Sequence, residues 1–85
     1  MKVNFYLSVR EHTHCDSADI VGCATLDALI IRLGEVFGSA FEEFLRADET
    51  CFFLVNSRSI MSTGGFATPL VDDDIVDVLP AVEAG

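Results

Sequence analysis

One segment constrains this chain more than any other. Between Thr25 and Gly38, the residues Leu26, Leu29, Ile30, Leu33 and Phe37 recur at helical spacing and make a single apolar stripe. Thr25 is a suitable cap, Asp27 lies in the first turn where the helix dipole favours an anion, and Gly38 provides the stop. A one-striped helix must bury that stripe against another layer, and the segments around it read as strands. Residues 3–9 alternate, with Val3, Phe5, Leu7 and Val9 on one face and Asn4, Tyr6, Ser8 and Arg10 on the other, which predicts a strand. Residues 11–18 carry turn formers and charge and predict a loop, followed by a short second strand at about 19–23.

After Gly38 the chain restarts at once. Ser39-Ala-Phe-Glu42 has the spelling of a capping box, and Phe41, Phe44 and Leu45 share a face of a short second helix. Residues 51–55, Cys-Phe-Phe-Leu-Val, are continuously apolar and predict a central strand covered on both faces or nearly so. Asn56-Ser57 turns the chain into a short strand near Arg58–Met61, and Ser62-Thr-Gly-Gly65 is a tight or flexible loop. Thr68-Pro69-Leu70 leads to a turn at Asp72-Asp73-Asp74 and a last strand over Ile75–Leu79, which Pro80 should end. The element order predicts an α+β roll, a mixed sheet of about five strands wrapped on one long helix. Residues 1–80 form the domain, and residues 81–85 project as a tail.

Composition narrows the function. The 85 residues make one small domain, and the 51% apolar content argues against disorder. No apolar run reaches the roughly 18–20 residues of a membrane span, and the alternating start does not read as a signal peptide, so a cytoplasmic protein is expected. The net charge of −9 argues against nucleic acid or an anionic membrane as partner and suits an acidic surface facing a basic groove on another protein. Cys15, Cys23 and Cys51 lack the close pairs of a zinc site and the spacing of an iron–sulfur cluster, and Cys51 reads as a buried small hydrophobe. His12, His14 and Cys15 lie within four residues, which ill suits a tetrahedral ion, so they read as a solvated loop and no metal is expected. There is no phosphate-cradling loop, and no nucleophile is paired with a base.

Several motifs in order resemble those of the family that unites the molybdopterin synthase small subunit with the thiamine sulfur carriers, which is ubiquitin-like. Phe53-Leu54-Val55-Asn56-Ser57-Arg58 resembles its "VNGR" hairpin, and Thr68 to Val76 resembles "TPL-x-DGD-x-V". Leu79-Pro80-Ala81-Val82-Glu83-Ala84-Gly85 resembles the "FPPVAGG" ending, and Thr25-Leu26-Asp27-Ala28-Leu29 the helix start "T-V-x-E-L". The likeness spans nearly the whole chain, is weakest over residues 10–24, and by length suits the molybdopterin branch.

The resemblance implies a β-grasp fold and a sulfur carrier that is not catalytic alone. A ubiquitin-activating-type adenylyltransferase would adenylate the carboxylate of Gly85 with ATP, and a persulfide sulfur would then displace AMP to leave a thiocarboxylate. ATP is the partner's cofactor, and none is expected on this chain. The tail would next enter a larger molybdopterin synthase subunit. A sheet surface carrying Phe53, Val55 and Arg58, together with Pro80, Val82 and Ala84 of the tail, is the implied docking face. The other function that fits is a ubiquitin-like module that docks on an enzyme and carries no sulfur.

Three departures from the family pattern bear on the tail and on a turn. Ala84 replaces the first glycine of the terminal pair and adds a methyl group in a narrow channel, and Glu83 places a charge near an ATP phosphate site. Asp73 replaces a turn glycine, which predicts local strain.

Overall fold

The computed structural model describes residues 1–47 and 50–81. Its elements are β1 (Lys2–Phe5), α1 (Val9–Thr13), β2 (Ser17–Asp19), α2 (Leu26–Phe37), α3 (Ser39–Arg46), β3 (Cys51–Val55), β4 (Arg58–Ser59) and β5 (Ile75–Pro80). Two 3₁₀ turns, Ile60–Ser62 and Gly65–Ala67, lie between β4 and β5. The five strands form one mixed sheet in the order β2-β1-β5-β3-β4, with β1 and β5 parallel and the other neighbours antiparallel.

The expected stripe of α2 is the centre of the core. Leu26, Leu29, Ile30 and Leu33 are fully buried against Val3, Phe5, Phe53, Val76 and Val78 of the sheet. Thr25 caps the helix, its hydroxyl accepting from the Ala28 N–H, and Gly38 ends it at φ 112°. Phe5, Phe37 and Phe41 pack edge to face in a triangle with centroids 5.6–6.0 Å apart. The motif Thr68-Pro69-Leu70 runs beside the start of α2, with the Leu26 N–H donating to Thr68 O and the Leu70 N–H to Ala24 O. That pairing ties the loop after β4 to the helix.

The structure differs from the sequence reading in several places, among them β4, which stops at Ser59 where Ile60–Ser62 turns into a 3₁₀ helix, and β5, which runs on through Pro80. The alternation over residues 3–9 stops being a strand after Phe5. Tyr6 N–H still donates to Val78 O, but Leu7 takes φ 52° and the chain winds into α1. Val9 is therefore buried by a helix turn rather than by a pleat. The second strand lies at Ser17–Asp19, earlier than residues 19–23, because Val3 pairs with Ala18.

In α3 the capping residue is Gly38 and no side chain caps it. Ser39 is already helical, and Glu42, freed from a capping role, bonds Arg46 Nε at 3.0 Å. β3 is covered on one face only, since Phe52 is 53% exposed while Phe53 is 4% exposed. Cys51 is half-buried. Asp73 does not adopt a positive φ, so the expected strain is absent there. Left-handed angles fall instead at Leu7, at His14 and at the adjacent pair Asn56 (φ 51°) and Ser57 (φ 70°), where they make the tight hairpin turn.

Gly34 has a packing reason. A Cβ there would lie 2.7 Å from Glu42 Oε1 and 2.8 Å from Glu42 Cβ, so α2 and α3 touch at this point. Arg46 secures the contact with a 2.7 Å bond to Asp27 and its bond to Glu42. The bond to Asp27, then that to Glu42, raises the guanidinium pKa further above its ordinary value.

Candidate functional site

The chain leaves the sheet at one corner. Pro80 pairs with Cys51 at the end of β5, and Ala81 N–H donates to Thr50 O at 2.9 Å. Val82, Ala84 and Gly85, three of the expected site residues, lie outside the described residues, as does Glu83. Pro80 is half-buried at the root of that tail.

The expected docking residues of the sheet fall elsewhere. Residues directly opposite each other across strands share a face, and Phe53↔Val78 and Val55↔Val76 both face the helix. Phe53 and Val55 are therefore core and do not lie on the open face of the sheet. Arg58 pairs with Val55 on the same side and is exposed because β4 is the sheet edge. A partner meeting the open face of the sheet touches the alternate residues: Phe52, Leu54, Ile75, Asp77 and Leu79, with Lys2, Asn4 and Tyr6 of the β1 side. Phe52 pairs with Leu79, and Leu54 pairs with Asp77. Sequence reasoning missed these because five consecutive apolar residues in β3 conceal which parity points inward. Val76-Asp77-Val78 in β5 held the signal, since a lone acid between two valines marks the outward register.

The open face has a polar centre. Asp77 Oδ1 accepts from Asn4 Nδ2 at 2.9 Å and from Tyr6 Oη at 3.3 Å. Coulombic repulsion from the Asp77 carboxylate, with a small cost of burial and the hydrogen bond, raises the Tyr6 phenol pKa above its ordinary 10.0. The phenol is therefore neutral at physiological pH and available as a donor.

Beside the tail root lies a groove of about 560 Å³, lined by Arg46, Cys51, Phe53, Met61, Phe66 and Ala81 among others. Phe66 stands edge-on to Phe53, with centroids 6.1 Å apart, and the Arg46 guanidinium lies 5.9 Å above its ring. Burial pushes the Cys51 thiol up to about 11, which keeps it protonated near neutral pH and suppresses its nucleophilicity. His12 sits on α1 with its ring stacked 4.1 Å from Phe44, so it is a packing residue of a helix rather than part of a solvated loop.

Comparison with known proteins agrees with the fold and gives the family. The model of the ThiS family matches residues 3–85. No curated protein matches the chain. The crystal structure of Mycobacterium tuberculosis CysO, described as an antigen, is 29% identical, covers 95% of this chain and 98% of that one, and has a TM-score of 0.83. The solution structure of small archaeal modifier protein 1 from Methanosarcina acetivorans is 21% identical, with coverage of 99% and 94% and a TM-score of 0.81. CysO in the Amycolatopsis orientalis BexX/CysO complex is 22% identical, with coverage of 99% and 98% and a TM-score of 0.81. These likenesses show the ubiquitin-like β-grasp fold. Among the described residues no helix is long and apolar enough to cross a membrane.

Proposed function

Because the chain belongs to the ThiS family, whose members include sulfur carriers, we propose that it carries sulfur as a thiocarboxylate on Gly85. The observation that carries this reading is the family match over residues 3–85, which extends through the tail. The tail root supports it: Pro80 and Ala81 are held by the β3 side of the sheet, at the border of the open face. A partner gripping that face would thereby receive the tail in a fixed direction.

A carboxylate is a poor electrophile until one oxygen becomes a good leaving group. An activating adenylyltransferase would supply ATP, transfer AMP to the Gly85 carboxylate and release pyrophosphate. A persulfide would then attack the acyl carbon and expel AMP, and reductive cleavage of the resulting acyl disulfide by a thiol would leave the thiocarboxylate. This chain contributes the docking surface and the reacting terminus, and it is not catalytic alone. That the Amycolatopsis relative forms a complex with BexX supports a partner-bound working state. The acceptor we propose is a pterin precursor held by a larger molybdopterin synthase subunit, in the cytoplasm, on the resemblance of the hairpin and tail motifs to that branch.

The test is ATP–pyrophosphate exchange with the activating enzyme encoded in the same genome. Full-length chain should support exchange, and a chain lacking Gly85 should not, because one residue displaces the reacting atom by about 3 Å where about 1 Å already costs roughly 100-fold. Exchange that survives the deletion would leave the docking-module reading in its place. Sulfur release to the larger synthase subunit with its pterin precursor tests the acceptor separately.

A further inference from the structure

The open face is apolar on the β5–β3 side of Asp77, with Lys2 and Asp19 lying beyond it toward the β1–β2 edge, and the Asp77 side chain is fixed. Asp77 lies opposite Leu54 on one side and Asn4 on the other, with Ile75 and Leu79 two residues away along the same strand. Phe52, opposite Leu79, extends the apolar surface. Both hydrogen bonds to the carboxylate end on Oδ1, from Asn4 and Tyr6. Among the described residues no hydrogen bond or ion pair reaches Oδ2. Asp77 is thus held in one orientation with one oxygen left for an incoming donor.

We infer that Asp77 is the specificity residue of this face, selecting a partner that presents a cationic side chain, arginine above all, within an apolar surface. The inference rests on the docking surface of the carrier reading and names what its partner must carry. Docking removes water from Phe52, Leu54, Ile75 and Leu79, and the same event strips water from the carboxylate between them. A partner that is apolar throughout would bury an uncompensated charge and is rejected. A partner with a guanidinium at that point meets Oδ2 with a charge-assisted bond and keeps the apolar contacts. The chain's net charge of −9 draws such a basic partner at long range, while Asp77 reads it at contact. The simpler role for Asp77, keeping an exposed sheet soluble, predicts that its charge is irrelevant to binding.

Calorimetric titration against the activating enzyme from the same genome, run beside ATP–pyrophosphate exchange, tests this. Asp77→Asn retains an oxygen for Asn4 and Tyr6, so its unfolding midpoint should match that of the unmodified chain. Its affinity should fall roughly 30-fold or more. In exchange, KM should rise while the rate at saturation is preserved. Asp77→Glu, which keeps the charge and moves it by one methylene, should lose less than Asp77→Asn. Affinity of the unmodified chain should decline with salt more steeply than that of Asp77→Asn. Equal affinity of the two chains, with normal exchange, overturns the inference and leaves the carrier reading intact. Asp77-dependent binding without exchange by either chain preserves the inference and overturns the carrier reading. Failure of the unmodified chain to bind overturns the inference.

Discussion

Phe52 and Phe53 are neighbours in the same strand, yet they belong to different parts of the protein's business. Phe53 lies against α2 at 4% exposure and Phe66 covers its edge, whereas Phe52 stands on the open face at 53% exposure. Their chemistry is identical, and only the pleat separates them. The inner face buries its apolar surface when the chain folds. The outer face keeps Phe52, Leu54, Ile75 and Leu79 for a second burial, against a partner, with Asp77 to decide which partner. Hydrophobicity alone does not separate core from site in this sheet; strand parity does.

The most direct way to break that division is to truncate each ring. Phe53→Ala should cost about 3–5 kcal/mol, because it removes a buried ring and leaves a cavity. Phe52→Ala should change stability by no more than about 0.5 kcal/mol while weakening partner binding. Denaturant unfolding of the two variants reads the difference, and similar losses in both would show that the outer face is structural.

Gly34→Ala sharpens the inner side. Alanine gains up to about 1 kcal/mol of helix propensity, but its Cβ would sit 2.8 Å from Glu42 Cβ. That atom cannot move without shifting α3, and overpacking of this kind costs about 1–3 kcal/mol. A net loss of about 1–2 kcal/mol is expected in denaturant unfolding. A stabilised variant would mean that the two helices do not approach this closely.

Ser57 lies at the hairpin that joins β3 to β4, with φ 70° where the family resemblance has glycine. Left-handed geometry costs a non-glycine residue about 1–2 kcal/mol, partly offset by the greater chain entropy glycine loses on folding. Ser57→Gly should therefore stabilise the protein by about 0.5–1 kcal/mol, read as a raised melting temperature. A lowered melting temperature would mean that Ser57 makes a contact worth more than the strain.

The smallest effect is at the tail root. The Cys51 thiol is raised from 9.0 to about 11 by burial, so the folded state favours its protonated form. Its contribution to stability is fully present below pH 9 and is lost as pH rises toward 11. Cys51→Ala should lose that part of the alkaline decline, seen as a shallower fall in melting temperature over the same window. Identical pH profiles would show that the thiol is hydrated in the folded state.

Much of the fold was legible because local and global signals agreed. The stripe of α2, its Thr25 cap and its Gly38 stop all stand as read, and so do the element order after Gly38 and the five-stranded mixed sheet. The region from Tyr6 to Cys23 was not legible in the same way. Alternation continued to Val9, but a left-handed Leu7 converts the last turn of that pattern into α1. Ser8-Val-Arg-Glu11 carries the S-x-x-E spelling of a helix start and was the available clue, although the Ser8 side chain makes no cap bond. The site was half legible. Asn56 was visible as a turn residue, but its side-chain bonds to Asp74 and to the Ile75 N–H depend on the tertiary approach of two distant segments. A run of five apolar residues carries no parity, so the sequence does not reveal that Phe53 and Val55 point inward.

The claim that joins these parts is that the open face and the tail serve sulfur transfer at Gly85. Mass spectrometry of the C-terminal peptide tests it most directly, after incubation of the intact chain with the activating enzyme, ATP and a persulfide donor under reducing conditions. A carrier gains the mass difference between sulfur and oxygen on that peptide, in an ATP-dependent manner. The Asp77→Asn chain reaches the same mass more slowly. A terminal peptide of unchanged mass, with binding intact and pyrophosphate exchange absent, would contradict the claim and leave a docking module without cargo.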